Sequence, residues 1–419
     1  MASTKTSKQS PSNNEGFFEN LFKLKEHGTD TRTEIIAGLT TFMTMAYIIV
    51  VNPSMLADTG SVSFDAALIA TVISSAFATI LMAAFANYPF ALAPGMGLNA
   101  FFVYTVIMGM GFTYQQALAA VFISGAVFIL LTLTGLRSAV VRAIPPNIKS
   151  GIGAGIGLFI AFLGLKGAGI IVADEATLLA AGDLTNPGTI LAIVGLIITA
   201  VLMVLDVKGS ILIGMFATTV LAWLTKVAPA PDGVFALPDF ARWSSEAFFQ
   251  LDFRGLKQFG TSGLIEVIFA FFFVDMFDTI GTLIGVAKRS NMIDEEGNLP
   301  KMDKAMMADA VGTCFGAISG TPTVTTYVES ASGVAAGGRT GLTALTVAVA
   351  FLVFGLFFSP IIKAVPGIAT APALIIVGVL MITGTTCQKH FLLLLLYQLC
   401  HLPLASQMVS LLHLFPMLP

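Results

Sequence analysis

The chain alternates long apolar runs with short polar breaks. A helix that crosses a bilayer needs roughly 20 mostly apolar residues. Runs of that kind cover 34–51, 65–86, 114–135, 147–165, 188–205, 209–225, 260–287, 341–360 and 367–382. Three weaker ones cover 97–110, 303–319 and 324–337. The pattern predicts about a dozen spans. Residues 1–16 are polar and low in complexity, and lack the apolar stretch of a signal peptide. They read as a disordered cytoplasmic tail.

Composition turns this pattern into a membrane assignment. The 419 residues are 56% hydrophobic and 11% charged, against about 25% charged in soluble domains. A surface so poor in charge is built for lipid. Gly and Phe are abundant, at 40 and 34 residues, and small residues let transmembrane helices approach closely. Gly151, Gly153, Gly155 and Gly157 form overlapping G-x-x-x-G pairs, a helix-packing pattern. The net charge of −3 gives no electrostatic footing for nucleic acid. The three cysteines contain no C-x-x-C pair, so neither a zinc site nor a disulfide framework is expected. The G-x-G at Gly95 and Gly97 follows no strand of a βαβ unit, and no Walker A loop occurs. Residues 34–382 hold no His cluster, Cys–His pair or metal-spaced ligand set. An enzyme or a cofactor is therefore not expected.

Orientation follows from Lys and Arg in short loops. Lys23, Lys25 and Arg32 precede the first span, and Arg137, Arg142 and Lys149 surround the junction after the fourth. Lys288, Arg289, Lys301 and Lys304 follow the eighth, and Arg339 the tenth. With the N-terminus inside, every cluster falls on the cytoplasmic side. Residues 226–258 become a long external loop, in which Trp243 and Phe248–Phe249 suggest interfacial helices.

The weakest spans carry the most information. PFALAPGMGLNAFF (89–102) interrupts the third span with Pro94, Gly95 and Gly97. SGTPTVTTYVESASG (319–333) interrupts the tenth with Gly320, Pro322 and a run of Thr. Short Gly/Pro-broken segments at matching positions of two halves point to a transporter binding site. Half-helix N-termini there aim N–H groups at a ligand. Irregular backbone at membrane depth persists only where protein buries it or it lines a cavity. The competing reading is re-entrant loops shaped for packing.

Ionisable residues inside spans are costly and functional by default. Asp275 and Asp278 stand three apart in FFFVDMFDTIGTLIGVA, on one helix face. Glu329 lies in the tenth span, Glu266 near the start of the eighth and Glu34 at the start of the first. A nucleobase edge sets ring N–H donors beside carbonyl acceptors, which a carboxylate or amide can match. A carboxylate in a low-dielectric site also holds its proton more tightly, which suits proton coupling. Asp278 and Glu329 fit both tasks; Asp275 is the third coupling candidate. Asn99 supplies an amide, Thr326 a hydroxyl, and Phe101 or Tyr327 a face for stacking. Each has a structural alternative: Asp275 and Asp278 as ties to a neighbouring helix, Glu329 as a cap, Asn99 as an interhelical bond. Glu34 and Glu266 read as interfacial.

At these residues the chain resembles the AzgA-type purine permeases, a branch of the nucleobase–cation symporters. The resemblance rests on EHGTDTRTEIIAGLTTFMTMAYIIVVNP (26–53), APGMGLNAFF (93–102), PPNIKSGIGAGIGLFIAFLGLK (145–166), FVDMFDTIGTLIGVA (273–287) and SGTPTVTTYVESASGV (319–334). It implies the uracil-transporter fold, an all-α polytopic protein of fourteen spans in two inverted repeats of seven. A core would comprise 17–137 and 259–362, and a gate 138–258 and 363–382. Spans three and ten would each hold an extended stretch before a half-helix, with the substrate between them. The implied site is Asp278, Glu329, and Gly97 with Asn99. The implied activity is purine uptake with protons across the cell membrane, guanine and hypoxanthine ahead of adenine. Expected partners are a purine base and the lipid bilayer, with a homodimer as the candidate assembly. The alternative is a sulfate-type anion transporter or channel on the same fold, which would want a basic residue near span ten. After Ile382 the composition changes: three of the four His and two of the three Cys fall there, and Gly is absent beyond Gly384. Residues 383–419 are thus expected to be an atypical tail in place of spans 13 and 14.

Overall fold

The computed structural model describes residues 17–134, 146–289, 292–294 and 299–383. The expected tails at 1–16 and 384–419 lie outside them. The first described helix, α1 (Phe17–Phe22), leads to α2 (Thr31–Met45). Asp30 caps α2 by accepting the N–H groups of Arg32 and Thr33, which would otherwise lack partners. A turn at Ala46–Tyr47 separates α2 from α3 (Ile48–Ala57), so the first expected span is two helices rather than one. Next come α4 (Phe64–Phe85), β1 (Leu92–Pro94) and α5 (Met96–Ala100). The last continues as a π-helix over Phe101–Gly109. Beyond it lie α6 (Tyr114–Thr134) and α7 (Pro146–Gly167).

A hairpin follows, of β2 (Ile171–Asp174) and β3 (Leu178–Ala181). Then come α8 (Pro187–Val204), α9 (Ser210–Leu224) and the short α10 (Phe240–Glu246). The long α11 (Gly260–Arg289) precedes α12 (Met302–Ser319), β4 (Val324–Thr326) and α13 (Ser330–Ala335). The chain continues through α14 (Gly341–Phe357), α15 (Ser359–Lys363) and α16 (Gly367–Thr383). The expectation of an all-α protein is corrected here: four short strands form two antiparallel pairs, β1 with β4 and β2 with β3.

Five described helical segments are long and apolar enough to cross a membrane: Thr31–Ala57, Phe64–Phe85, Tyr114–Thr134, Pro187–Val204 and Gly263–Lys288. Five more apolar helices are shorter, including Met96–Gly109 and Gly341–Phe357. The helices sort into two packed groups. In the first, α4 packs on α12 and α14, α2 on α14, and α6 on α11 and α12. In the second, α7 packs on α16, and α8 on α9 and α16. Glycine sets the distance between α7 and α16. A Cβ at Gly157 would lie 2.5 Å from the Gly378 carbonyl oxygen, and one at Gly378 would lie 2.4 Å from that of Gly157. Gly157 thus packs as expected, whereas Gly151 and Gly155 face open space.

Loop contacts tie each end of the bundle. At one end, the Asn87 amide donates to the Phe22 carbonyl, and its oxygen accepts from Gly341 N–H. At the other, Lys363 pairs with Asp65 at 2.7 Å, and Glu246 accepts from Ser63 N–H at 2.8 Å. Trp243 is not a free interfacial anchor: its indole N–H donates to the Ser319 carbonyl at 2.9 Å, fastening α10 to the end of α12.

Candidate functional site

The two Gly/Pro-interrupted stretches meet inside the first group. β1 and β4 run antiparallel with Leu92 opposite Thr326, Ala93 opposite Thr325 and Pro94 opposite Val324. Gly95 N–H donates to the Thr323 carbonyl and Tyr327 N–H to that of Ala91, both at 3.0 Å. All these residues are buried, so the pairing satisfies backbone groups that lipid could not. Pro94 fits because its partner strand is only three residues long and the missing N–H falls at the strand end.

A cavity of about 80 Å³ opens where this pair meets the second group of helices. The first group contributes Tyr47, Gly95, Met96, Gly97, Asp278, Thr282 and Thr325 through Glu329; the second contributes Val377 and Met381 from α16. Asp278 and Glu329 therefore face one space. Asp278 makes no hydrogen bond among the described residues. Glu329 accepts the Tyr47 hydroxyl on Oε1 at 2.6 Å. It stands at the start of α13 but its side chain caps no N–H, which removes the capping alternative. Tyr47 reaches it because the turn at Ala46–Tyr47 breaks the first span beside β4. The Tyr327 hydroxyl donates to the Pro94 carbonyl, bracing one extended segment against the other.

The candidates divide. Gly97, Asp278, Thr326 and Glu329 come together, with Tyr327 beside them. Asp275, though three residues from Asp278, is turned away, 1% exposed, and accepts the Thr313 hydroxyl of α12 at 3.2 Å. Asn99 is fully buried, and neither side-chain atom has a hydrogen-bond partner among the described residues; it is not among those that line the cavity. Phe101 lines a separate apolar cavity of about 240 Å³ with Leu98, Thr105, Gly155, Ile156 and Phe159. Gly97 borders both cavities. A Cβ there would sit 2.2 Å from Ile156 Cγ2 of α7, so the two helix groups touch across it.

Glu34 is corrected most sharply. It is fully buried rather than interfacial, and accepts from the N–H groups of Arg339, Thr340 and Thr343 and from the Thr343 hydroxyl. Glu266 is exposed. Sequence reasoning missed two residues. Asp309 of α12 is fully buried and bonded to the strand that carries Thr325 and Thr326; its signal was a carboxylate inside an expected span. Tyr47 had no signal beyond being a polar-tipped aromatic in an apolar run.

Helices of membrane-spanning length around a broken-helix cavity lined by acids define a polytopic membrane transporter. The chain belongs to the Permease family, whose Xan_ur_permease profile matches residues 32–389, and within it to the AzgA-type purine permeases. It is 50% identical over 365 residues to the guanine/hypoxanthine permease PbuO of Bacillus subtilis, covering 86% of this chain and 83% of that one. It is 42% identical over 373 residues to the adenine permease AdeP of Escherichia coli, covering 88% and 80%. Its fold is similar to the transmembrane domain of BicA, a cyanobacterial bicarbonate transporter, with a TM-score of 0.63 at 15% identity, covering 88% of this chain and 94% of that one.

Proposed function

We propose that this chain carries purine bases together with protons across the cell membrane by alternating access, guanine and hypoxanthine ahead of adenine. The observation that carries the reading is the meeting of Asp278 and Glu329 in one cavity between two helix groups. One carboxylate holds the N–H edge of the base; the other takes the coupling proton. A protonated, base-loaded site has fewer uncompensated charges to move through a low-dielectric interior. Asp275 is a reserve proton site, displaced from the cavity by one helical turn.

The helix groups suit the roles of core and gate in two inverted repeats of seven spans. The first group (17–137 and 259–362) carries both interrupted segments. The second (138–258 and 363–382) supplies Val377 and Met381 as the facing wall. The loop contacts support an N-terminus in the cytoplasm: Phe22, Asn87 and Gly341 meet at one end of the bundle, beside the Lys- and Arg-bearing loops. The relatives' names favour a nucleobase, and among the described residues no Lys, Arg or His lines the cavity, which disfavours an anion. The likeness to BicA bears on the fold alone.

The test is uptake of labelled hypoxanthine by cells expressing the chain, with unlabelled bases, sulfate and a protonophore as competitors. Hypoxanthine is expected to accumulate, guanine to compete, and the protonophore to collapse accumulation. Replacement of Glu329 by Gln is expected to abolish accumulation with membrane insertion intact. Unchanged proton-coupled uptake in that variant, or competition by sulfate alone, would overturn the proposal.

A further inference from the structure

The cavity wall is rich in hydroxyls, and most of their protons are already committed. Tyr47 donates to Glu329 Oε1 and Tyr327 to the Pro94 carbonyl. Thr326 donates to Asp309 Oδ1 at 3.2 Å. Thr325 Oγ1 lies 2.9 Å from Thr279 Oγ1. Thr279 in turn donates to Asp309 Oδ2 at 2.9 Å. A hydroxyl has one proton, and a carboxylate accepts only while it is ionised, the state taken here for Asp309. With Asp309 ionised, Thr279 gives it its proton, and the Thr279–Thr325 bond takes its proton from Thr325. The hydroxyls of Thr325 and Thr326, the two β4 threonines among the residues lining the cavity, are thereby left with lone pairs only. Thr282 is the one cavity hydroxyl that makes no hydrogen bond among the described residues.

We infer that Asp309, outside the cavity, is a specificity-determining positioning residue: through Thr326 directly and Thr279–Thr325 indirectly, it makes the β4 wall an array of hydrogen-bond acceptors. Its third bond, from Thr326 N–H at 3.0 Å, fixes the strand that presents this wall. The array selects ligands rich in donors on one edge. Guanine and hypoxanthine carry N1–H there, whereas adenine presents N1 as an acceptor. An acceptor facing an acceptor leaves both unpaired, and sites built on hydrogen bonds discriminate most strongly by that route. This inference rests on the purine reading above and names the group that orders the bases.

Asp309→Asn tests it, because the amide keeps an oxygen for Thr326 and turns an N–H toward Thr279. Thr279 then donates to Thr325, and Thr325 donates into the cavity. Competition constants for guanine and adenine are measured against labelled hypoxanthine in transporting cells. Their ratio is expected to move roughly tenfold toward adenine. Thr279→Ala frees the Thr325 proton by another route and should shift the ratio the same way, whereas Thr279→Ser should retain the original ranking. In a Thr325→Val background, Asp309→Asn should add no further shift. An equal loss for all bases, or a shift that persists without Thr325, would overturn the inference and leave Asp309 as packing. Lack of purine uptake by the unaltered chain would remove the purine reading itself, and the inference with it.

Discussion

Glu34 and Glu329 are both carboxylates within the first helix group, Glu34 fully buried and Glu329 half-buried, and their surroundings treat them oppositely. Glu34 receives three backbone N–H groups and one hydroxyl, at 2.6–3.3 Å. It ties the start of α2 to the turn before α14. Glu329 receives one hydroxyl, that of Tyr47, and opens onto a cavity. A saturated carboxylate is a structural bolt: its lone pairs are used, and nothing else can bind there. An unsaturated one beside a cavity has capacity left for a ligand and a proton. The census of donors, together with exposure to the cavity, separates the structural carboxylate from the functional candidate.

The largest expected effect sharpens this contrast. Glu34→Ala strips four donors of their acceptor, including two buried backbone N–H groups and a part-buried one. It should destabilise the protein by about 3 kcal/mol or more, seen as loss of the folded, monodisperse species on detergent extraction. Glu329→Ala should keep that species and lose uptake. The reverse pattern would break the comparison. Next in size is Gly97→Ala, which places a methyl against Ile156 where two helix groups touch. Overpacking of this kind costs about 1–3 kcal/mol. Transport should fall and be restored in part by Ile156→Ala; no restoration would mean that Gly97 serves something other than this contact.

Smaller again is Tyr47→Phe, which removes the tyrosine hydroxyl's hydrogen bond to the Glu329 carboxylate and leaves the ring. A change of up to about tenfold in apparent affinity for base or proton is expected, with protein yield unchanged. Smallest is Lys363→Ala, which breaks the half-exposed pair with Asp65. It should alter the thermal midpoint by less than about 1 kcal/mol in equivalent stability and leave uptake alone. A larger effect would show that the end loops couple to the site.

Much of this arrangement was legible in the chain. The hydrophobic runs placed the helices to within a few residues, since a span's length and polarity are set by the bilayer itself. The broken segments were marked by Pro94, Gly95, Gly97, Gly320 and Pro322, whose chemistry forbids an uninterrupted helix. Asp278 and Glu329 stood out because charge is scarce in spans. What remained hidden depends on rotation and partners. Phe101, at the start of a π-helix, borders the apolar cavity with Gly97, Leu98 and Thr105 and not the cavity of Asp278 and Glu329. Asp309 sits in α12 close to Asp303 and Lys304 and reads as part of a charged helix end. Tyr47 and Thr279 became informative only once the fold brought Glu329 and Asp309 beside them.

The central claim is that Asp278 and Glu329 serve one site, one carboxylate holding the base and the other the coupling proton. Equilibrium binding of labelled hypoxanthine to the purified protein, compared with Asp278→Asn and Glu329→Gln, tests it most directly. The account predicts saturable binding in the unaltered chain, loss of at least about tenfold in affinity for the variant of the base-holding carboxylate, and loss of the pH dependence of binding for the other. Undiminished binding in both variants would contradict it.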